Sequence, residues 1–210
     1  MLIKHILRIE RERRRLKRDT TPWQEQTGYG AGSKFASKPR TVGDVASQST
    51  TPLWKCLILY WFARRADFAI ELGTGLGFST AYLVAGINKP YSVRSADANT
   101  EALFIANDML NKAILVSNTL YNTDFDDLLE SAPAHYNLAY IDGDHTGAAL
   151  TRYYLKLIPL MAPKSVIIVD DVLWSKDMKQ AWDRLALGRR HLRIHDLGII
   201  WLNKSGEEIC

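Results

Sequence analysis

Three alternating glycines, a set of acids that close short apolar runs, and one histidine are spaced so that they could act on one small molecule. The densest stretch is Asp67-Phe-Ala-Ile-Glu-Leu-Gly-Thr-Gly-Leu-Gly-Phe-Ser-Thr80. Its apolar run Phe68-Ala69-Ile70 reads as a short buried strand, and Phe78 through Ile87 reads as the helix that follows. Glycines 73, 75 and 77 let the turn between them adopt backbone angles closed to other residues and bring bare backbone against a ligand. The helix just after them offers unpaired N–H groups to whatever sits there. Strand, glycine turn and helix together indicate a small-molecule cofactor site. The alternative is a turn without a ligand, which carries the entropic cost of three glycines and no evident packing gain. Further on, His145 follows Asp142-Gly143-Asp144. A histidine there could be the general base for a hydroxyl substrate, or simply bond Asp144 or the backbone.

Spacing selects the ligand. A dinucleotide fingerprint, G-x-G-x-x-G, needs its third glycine or alanine at 78, where this chain has Phe78. No Gly-Lys-Ser/Thr follows, so the P-loop pattern fails as well. The remaining pattern, two apolar residues, Glu71, then Gly73, Gly75 and Gly77 at alternate positions, resembles the first motif of class I S-adenosylmethionine-dependent methyltransferases. The resemblance implies that Gly73, Gly75, Gly77 and Ser79 form the cofactor turn, with Glu71 ordering it from beneath. It also implies that Asp97, closing the second strand, accepts hydrogen bonds from the ribose hydroxyls. Capping the helix at 99 is an alternative or additional role for Asp97. Asp124 and Phe125 correspond to the segment that lines the adenine.

The acids after the fourth and fifth strands narrow the resemblance. Asp142 and the pair Asp170-Asp171 are similar to the pattern in catechol- and caffeoyl-coenzyme A-type O-methyltransferases and in related bacterial small-molecule methyltransferases. In those enzymes three residues at these places hold Mg²⁺ or another divalent cation. By position the metal ligands here would be Asp142, Asp170 and Asp171, with Asp142 also touching the cofactor. The ion's task would be to bind a substrate hydroxyl, lower its pKa and orient its oxygen. One departure stands out: Asp171 occupies the place of the family's Asn. Three carboxylates without a metal would raise the pKa of at least one of them. The alternative for Asp170 and Asp171 is to cap the helix near 175. Asp142 and His145 are the candidate catalytic residues, and Trp174 is a candidate wall of the substrate pocket.

The elements that must position these residues alternate along the chain. Strands are expected at 67–72, 91–97, 114–121, 136–141 and 165–170, each followed by a helix at 76–87, 99–112, 125–131, 146–161 and 175–187. His191–Asp196 and Gly198–Asn203 then read as a hairpin, hence an antiparallel pair. Together with the resemblance this implies an α/β fold: a doubly wound, Rossmann-like seven-stranded methyltransferase sheet of order 3-2-1-4-5-7-6, its last strand antiparallel. The catalytic domain is expected to span 53–210, opening with an apolar helix at 53–64 behind Pro52. Residues 1–52 are expected to be a cap or lid: an amphipathic helix at 2–18, then a Gly/Ser/Thr-rich loop with one helical turn near 42–46.

Composition bounds the rest. At 210 residues the chain suits one α/β domain, and 47% hydrophobic with 24% charged residues is ordinary for a globular protein. Eight of 27 Lys/Arg and three of 23 Asp/Glu lie in residues 1–20, leaving 19 basic and 20 acidic residues in the other 190. The basicity is therefore a local arm, which argues against a catalytic domain wrapped around nucleic acid. The arm either docks its narrow apolar stripe on the domain or a partner, or uses Arg13-Arg14-Arg15 on an anionic membrane or nucleic acid. Two distant cysteines, Cys56 and Cys210, form no disulfide framework or metal knuckle, so a reducing cytoplasm is expected. No run is long enough to span a bilayer, and no signal peptide is visible. The expected partner is a small-molecule acceptor, and the resemblance adds a homodimer. The rivals are a methyltransferase acting on RNA or protein nitrogen through the basic arm, and a non-catalytic cofactor-binding module.

Overall fold

The computed structural model describes residues 2–24, 40–87, 89, 92–114 and 119–203. The alternating Gly28, Gly30 and Gly32, most of the expected loop, and Cys210 lie outside the described residues. The first helix, α1 (Leu2–Leu16), is followed by α2 (Val42–Gln48) and α3 (Leu53–Ala63). Five strand–helix units come next: β1 (Ala69–Leu72) and α4 (Phe78–Gly86), β2 (Val93–Asp97) and α5 (Thr100–Ala113), β3 (Leu120–Asn122) and α6 (Phe125–Ser131), β4 (Tyr136–Ile141) and α7 (Gly147–Leu157), and β5 (Met161–Val169) and α8 (Lys176–Ala186). A hairpin of β6 (Arg190–Ile194) and β7 (Leu197–Trp201) ends the described chain.

The strands form one sheet of order β3-β2-β1-β4-β5-β7-β6. The first five run parallel, and β7 runs against β5 with Val169 opposite Gly198. This is the expected topology. Helices cover both faces, which is why β1 is buried at all four positions and reads as a continuous apolar run apart from Glu71. The outermost strand β6 is exposed throughout and carries Arg190 and Arg193, charges that discourage edge pairing.

Local capping sets the helix starts. The side chains of Asn99, Asp124, Thr146 and Ser175 each accept a backbone N–H in the first turn of α5, α6, α7 and α8. Asn99 therefore caps α5 and Ser175 caps α8, which frees Asp97, Asp170 and Asp171 from the capping roles considered for them.

The basic arm is docked. Ile9 and Leu16 of α1 are buried with Phe78, Tyr82 and Met109 of α4 and α5. Arg13 is buried over the Phe78 ring, 4.1 Å from its centroid, and donates to Thr50 Oγ1 at 3.1 Å and to the Thr51 carbonyl at 3.0 Å. Arg15 pairs with Glu12 and, from α5, Asp108. Two of the three consecutive arginines are thus committed within the fold. No helix among the described residues is long and apolar enough to cross a membrane.

Candidate active site

At the carboxyl ends of β1, β2 and β4 a cavity of about 380 Å³ opens, lined by Gly73, Asp97, Asp124, Phe125, Asp142 and Asp144, among others. This is where a doubly wound sheet places its ligands. The turn after β1 carries three glycines with left-handed backbone angles under different constraints, and Gly73 is the one that lines the cavity. Gly73 has φ +112°, and a Cβ there would lie 2.0 Å from the Asp142 carbonyl oxygen. Gly75 has φ +50° with open space where a side chain would project. Gly77, at φ +83°, also meets a packing limit: a Cβ there would press on Ala106 of α5.

Glu71 is fully buried beneath this turn. It accepts hydrogen bonds from Thr80 Oγ1 at 2.5 Å and Ser95 Oγ at 2.6 Å, and Ser95 in turn lies 2.6 Å from Thr74 Oγ1 in the turn itself. The acid thus ties β1, β2, the turn and α4 together through hydroxyls. Burial pushes its carboxyl up to about 7, although the hydroxyls of Ser79, Ser95 and Thr80 pull the other way. Ser79, expected to face the cofactor, has its hydroxyl turned to Glu71, so its side chain is not among those lining the cavity.

Asp97 accepts the backbone N–H of Gly75 and that of Asn99, each at 2.9 Å, and burial raises its pKa despite both bonds. It therefore fixes the tip of the glycine turn while bordering the cavity. Asp124 shares its carboxylate between the cavity and the first turn of α6, where it accepts Asp127 N–H at 2.8 Å. The Phe125 ring lies against Gly143, where a Cβ would come within 2.5 Å of it, and makes an edge contact with Tyr153. Residues not foreseen in the sequence also line the cavity: Ala98, Asp126, Arg152 and Tyr153.

Next to the cavity is a second, tighter group. The Tyr140 hydroxyl lies 2.6 Å from Asp170 Oδ2 and 3.1 Å from Asp142 Oδ2. Thr51, from the segment leading into α3, donates to the same Asp142 oxygen at 3.3 Å. Burial, followed by the charges of Asp170 and Asp171, holds the Asp142 carboxyl well above the usual range. Asp170 and Asp171 turn instead toward Lys55 of α3. The Lys55 ammonium is bonded to Asp170 Oδ1, lies 3.4 Å from Asp171 Oδ1 and 3.0 Å from Asp196 Oδ2. Asp196 sits in the turn between β6 and β7. Because β7 is antiparallel, that turn falls at the carboxyl end of β5.

The structure therefore brings Asp170 and Asp171 together with Asp196, rather than Asp142, as the third carboxylate of the group. As arranged, these residues do not fit a divalent ion, because the ammonium of Lys55 already lies among all three acids. Burial alone would lower the lysine's pKa, but the charge of Asp170 and the bonds to its partners raise it above its ordinary value. It stays a cation. The sole charge in an eleven-residue apolar helix was the sequence signal that could have singled it out.

His145 stands at the edge of this group. Its Nε2 is 3.9 Å from Asp171 Oδ2 and its ring lies 5.1 Å from that of Trp174. Asp144 and Asp171, which flank it, both have positive φ, at 46° and 51°. Strain of this kind clusters where side chains are held for a task.

Residues 70–172 match the family described as a methyltransferase domain. The O-methyltransferase TomG from Streptomyces achromogenes, involved in tomaymycin synthesis and solved with SAM, shares 18% identity at a TM-score of 0.59, covering 74% of this chain and 82% of that one. The SAH-bound methyltransferase PaMTH1 from Podospora anserina shares 14% identity at a TM-score of 0.63, with 76% and 81% covered. The O-methyltransferase from Bacillus cereus in complex with SAH shares 21% identity at a TM-score of 0.58, with 75% and 84% covered. No curated protein matches the sequence. The resemblance drawn from the glycine turn thus stands on a matched segment and on a shared fold.

Proposed function

We propose that this chain, which has the segment and the fold of a SAM-dependent methyltransferase, methylates a hydroxyl oxygen of a small molecule. The observation that carries the cofactor is the charge of the cavity. Among the described residues five aspartates line it, Asp97, Asp124, Asp126, Asp142 and Asp144. Asp126 is paired with Arg152 and Lys156, and burial favours the neutral form of Asp97 and Asp142, yet the lining remains acidic through Asp124 and Asp144. A dinucleotide with its phosphates would meet repulsion there, whereas a nucleoside carrying a sulfonium and an ammonium is attracted. The open space at Gly75 lets bare backbone approach the ligand.

When bound, S-adenosylmethionine supplies a methyl group activated by the positive sulfur. Asp97 would hold the ribose hydroxyls, and Asp124 and Phe125 would flank the base. Asp142, held by Tyr140 and Thr51, would stand between the cofactor and the acceptor. His145, beside Asp171 and the Trp174 ring, would take the proton that the acceptor hydroxyl loses. Neutral acceptors suit the acidic rim. TomG and the Bacillus cereus protein are O-methyltransferases, and that supports oxygen as the target. A role for the arm in RNA binding is weakened by the internal commitments of Arg13 and Arg15.

Calorimetry with S-adenosylmethionine, followed by mass spectrometry of phenolic and catecholic acceptors, tests this. Well-folded protein that fails to bind the donor would overturn the methyltransferase reading. Binding without transfer to any hydroxyl acceptor would leave the cofactor and remove the reaction.

A further inference from the structure

Lys55 is the only charged residue in α3, and its side chain is 5% exposed. It spends all three donors of its ammonium on carboxylates from two distant parts of the chain: Asp170 and Asp171 after β5, and Asp196 in the β6–β7 turn. The neighbouring residues Cys56 and Leu59 are fully buried, so the helix that carries the lysine is fixed against the sheet. A hard divalent cation would draw on the same oxygens at about 2.0–2.6 Å. An ion and an ammonium cannot share that space in a buried site, since two cations a few ångströms apart repel strongly.

We propose that Lys55 is the resident cation of this site: its ammonium occupies the place among Asp170, Asp171 and Asp196 that a divalent ion would require, and the chain works without such an ion. Lys55 then acts as a positioning residue. It holds Asp171 through Oδ1 and leaves Oδ2 toward His145. This role in positioning rests on the function proposed above, whereas the exclusion of a metal can be measured without any turnover.

The test uses the electron paramagnetic resonance signal of free Mn²⁺, titrated with the full-length protein. Wild type and Lys55→Arg, which keeps the positive charge, are expected to leave the signal unchanged. Lys55→Met is expected to deplete it, and Lys55→Met combined with Asp170→Asn to restore it. Circular dichroism and a cooperative melt qualify each variant as folded, and Lys55→Gln serves where Lys55→Met fails that criterion. Depletion by wild type that Asp170→Asn abolishes would overturn the proposal, because the acids would then take a metal with the lysine present. A folded Lys55→Met or Lys55→Gln that leaves the signal intact would overturn it as well. Donor binding measured separately by calorimetry distinguishes either result from failure of the methyltransferase reading.

Discussion

Gly73 rests on the backbone carbonyl of Asp142, so closely that a Cβ would lie 2.0 Å from that oxygen. The end of β1 and the end of β4 are thereby locked together at the floor of the cavity. Gly75, two residues on, has no such neighbour. Gly73→Ala is expected to destabilise the fold by about 2 kcal/mol or more, through collision and an unfavourable φ. Gly75→Ala should cost only about 1 kcal/mol, the penalty of a left-handed residue, yet weaken donor binding. Urea melts and calorimetry on the two variants check the contrast; equal loss of stability at both positions would refute it.

Asp97→Ala removes the acceptor for Gly75 N–H and the expected ribose contact together. Donor affinity should fall roughly 10- to 100-fold, the scale of a charge-assisted hydrogen bond at about 1.5–3 kcal/mol, with the circular dichroism spectrum retained. Unchanged affinity would remove Asp97 from the ribose.

Glu71 makes stability depend on pH in an unusual direction. Its folded carboxyl keeps a proton to about pH 7, while the unfolded one releases it near 4.5. Folding therefore takes up a proton between these values, and this group's contribution is present below 4.5 and lost as pH rises to 7. The shift corresponds to about 3 kcal/mol at about 1.4 kcal/mol per pH unit. Glu71→Gln should flatten the unfolding free energy across that window in denaturant titrations; a slope identical to wild type would show that Glu71 is not its source.

His145→Ala should lower kcat by about 10²- to 10⁴-fold, the usual worth of a general base, while donor affinity stays as in wild type. A reduced KM effect alone, with kcat preserved, would relocate the proton acceptor to another group.

Lys55→Met strands three carboxylates without their cation. A loss of about 3–5 kcal/mol is expected, as when one partner of a buried pair is removed, with Lys55→Arg less affected. Thermal melts check both, and a Lys55→Met melt coincident with wild type would mean the acids are solvated rather than paired.

Much of this was legible in the chain. The periodicity of apolar runs located every strand, and β4 and α6 fall on their expected residues, because buried parallel strands leave a strong hydrophobic signal. β3 is described at Leu120–Asn122, with 115–118 of its expected span outside the described residues, and the strand at 165–170 extends back to Met161. The glycine turn marked the cavity because its backbone angles demand glycine locally. What the sequence hid was anything set by contact across the fold. Lys55 and Asp196 meet only because α3 packs beside the sheet and the final hairpin doubles back. Ser79 pointed inward toward Glu71 for the same reason: which side of a helix's first turn faces the cavity depends on how α4 leans on β2.

The reversed final strand has a temporal implication. Asp196 is delivered to the rim only once β7 has zipped along β5, so a nascent chain halted before the hairpin would expose Lys55 to Asp170 and Asp171 with one counter-charge missing. The rim thus depends on a contact that forms only after Asp196 has been made, far along the chain from Lys55.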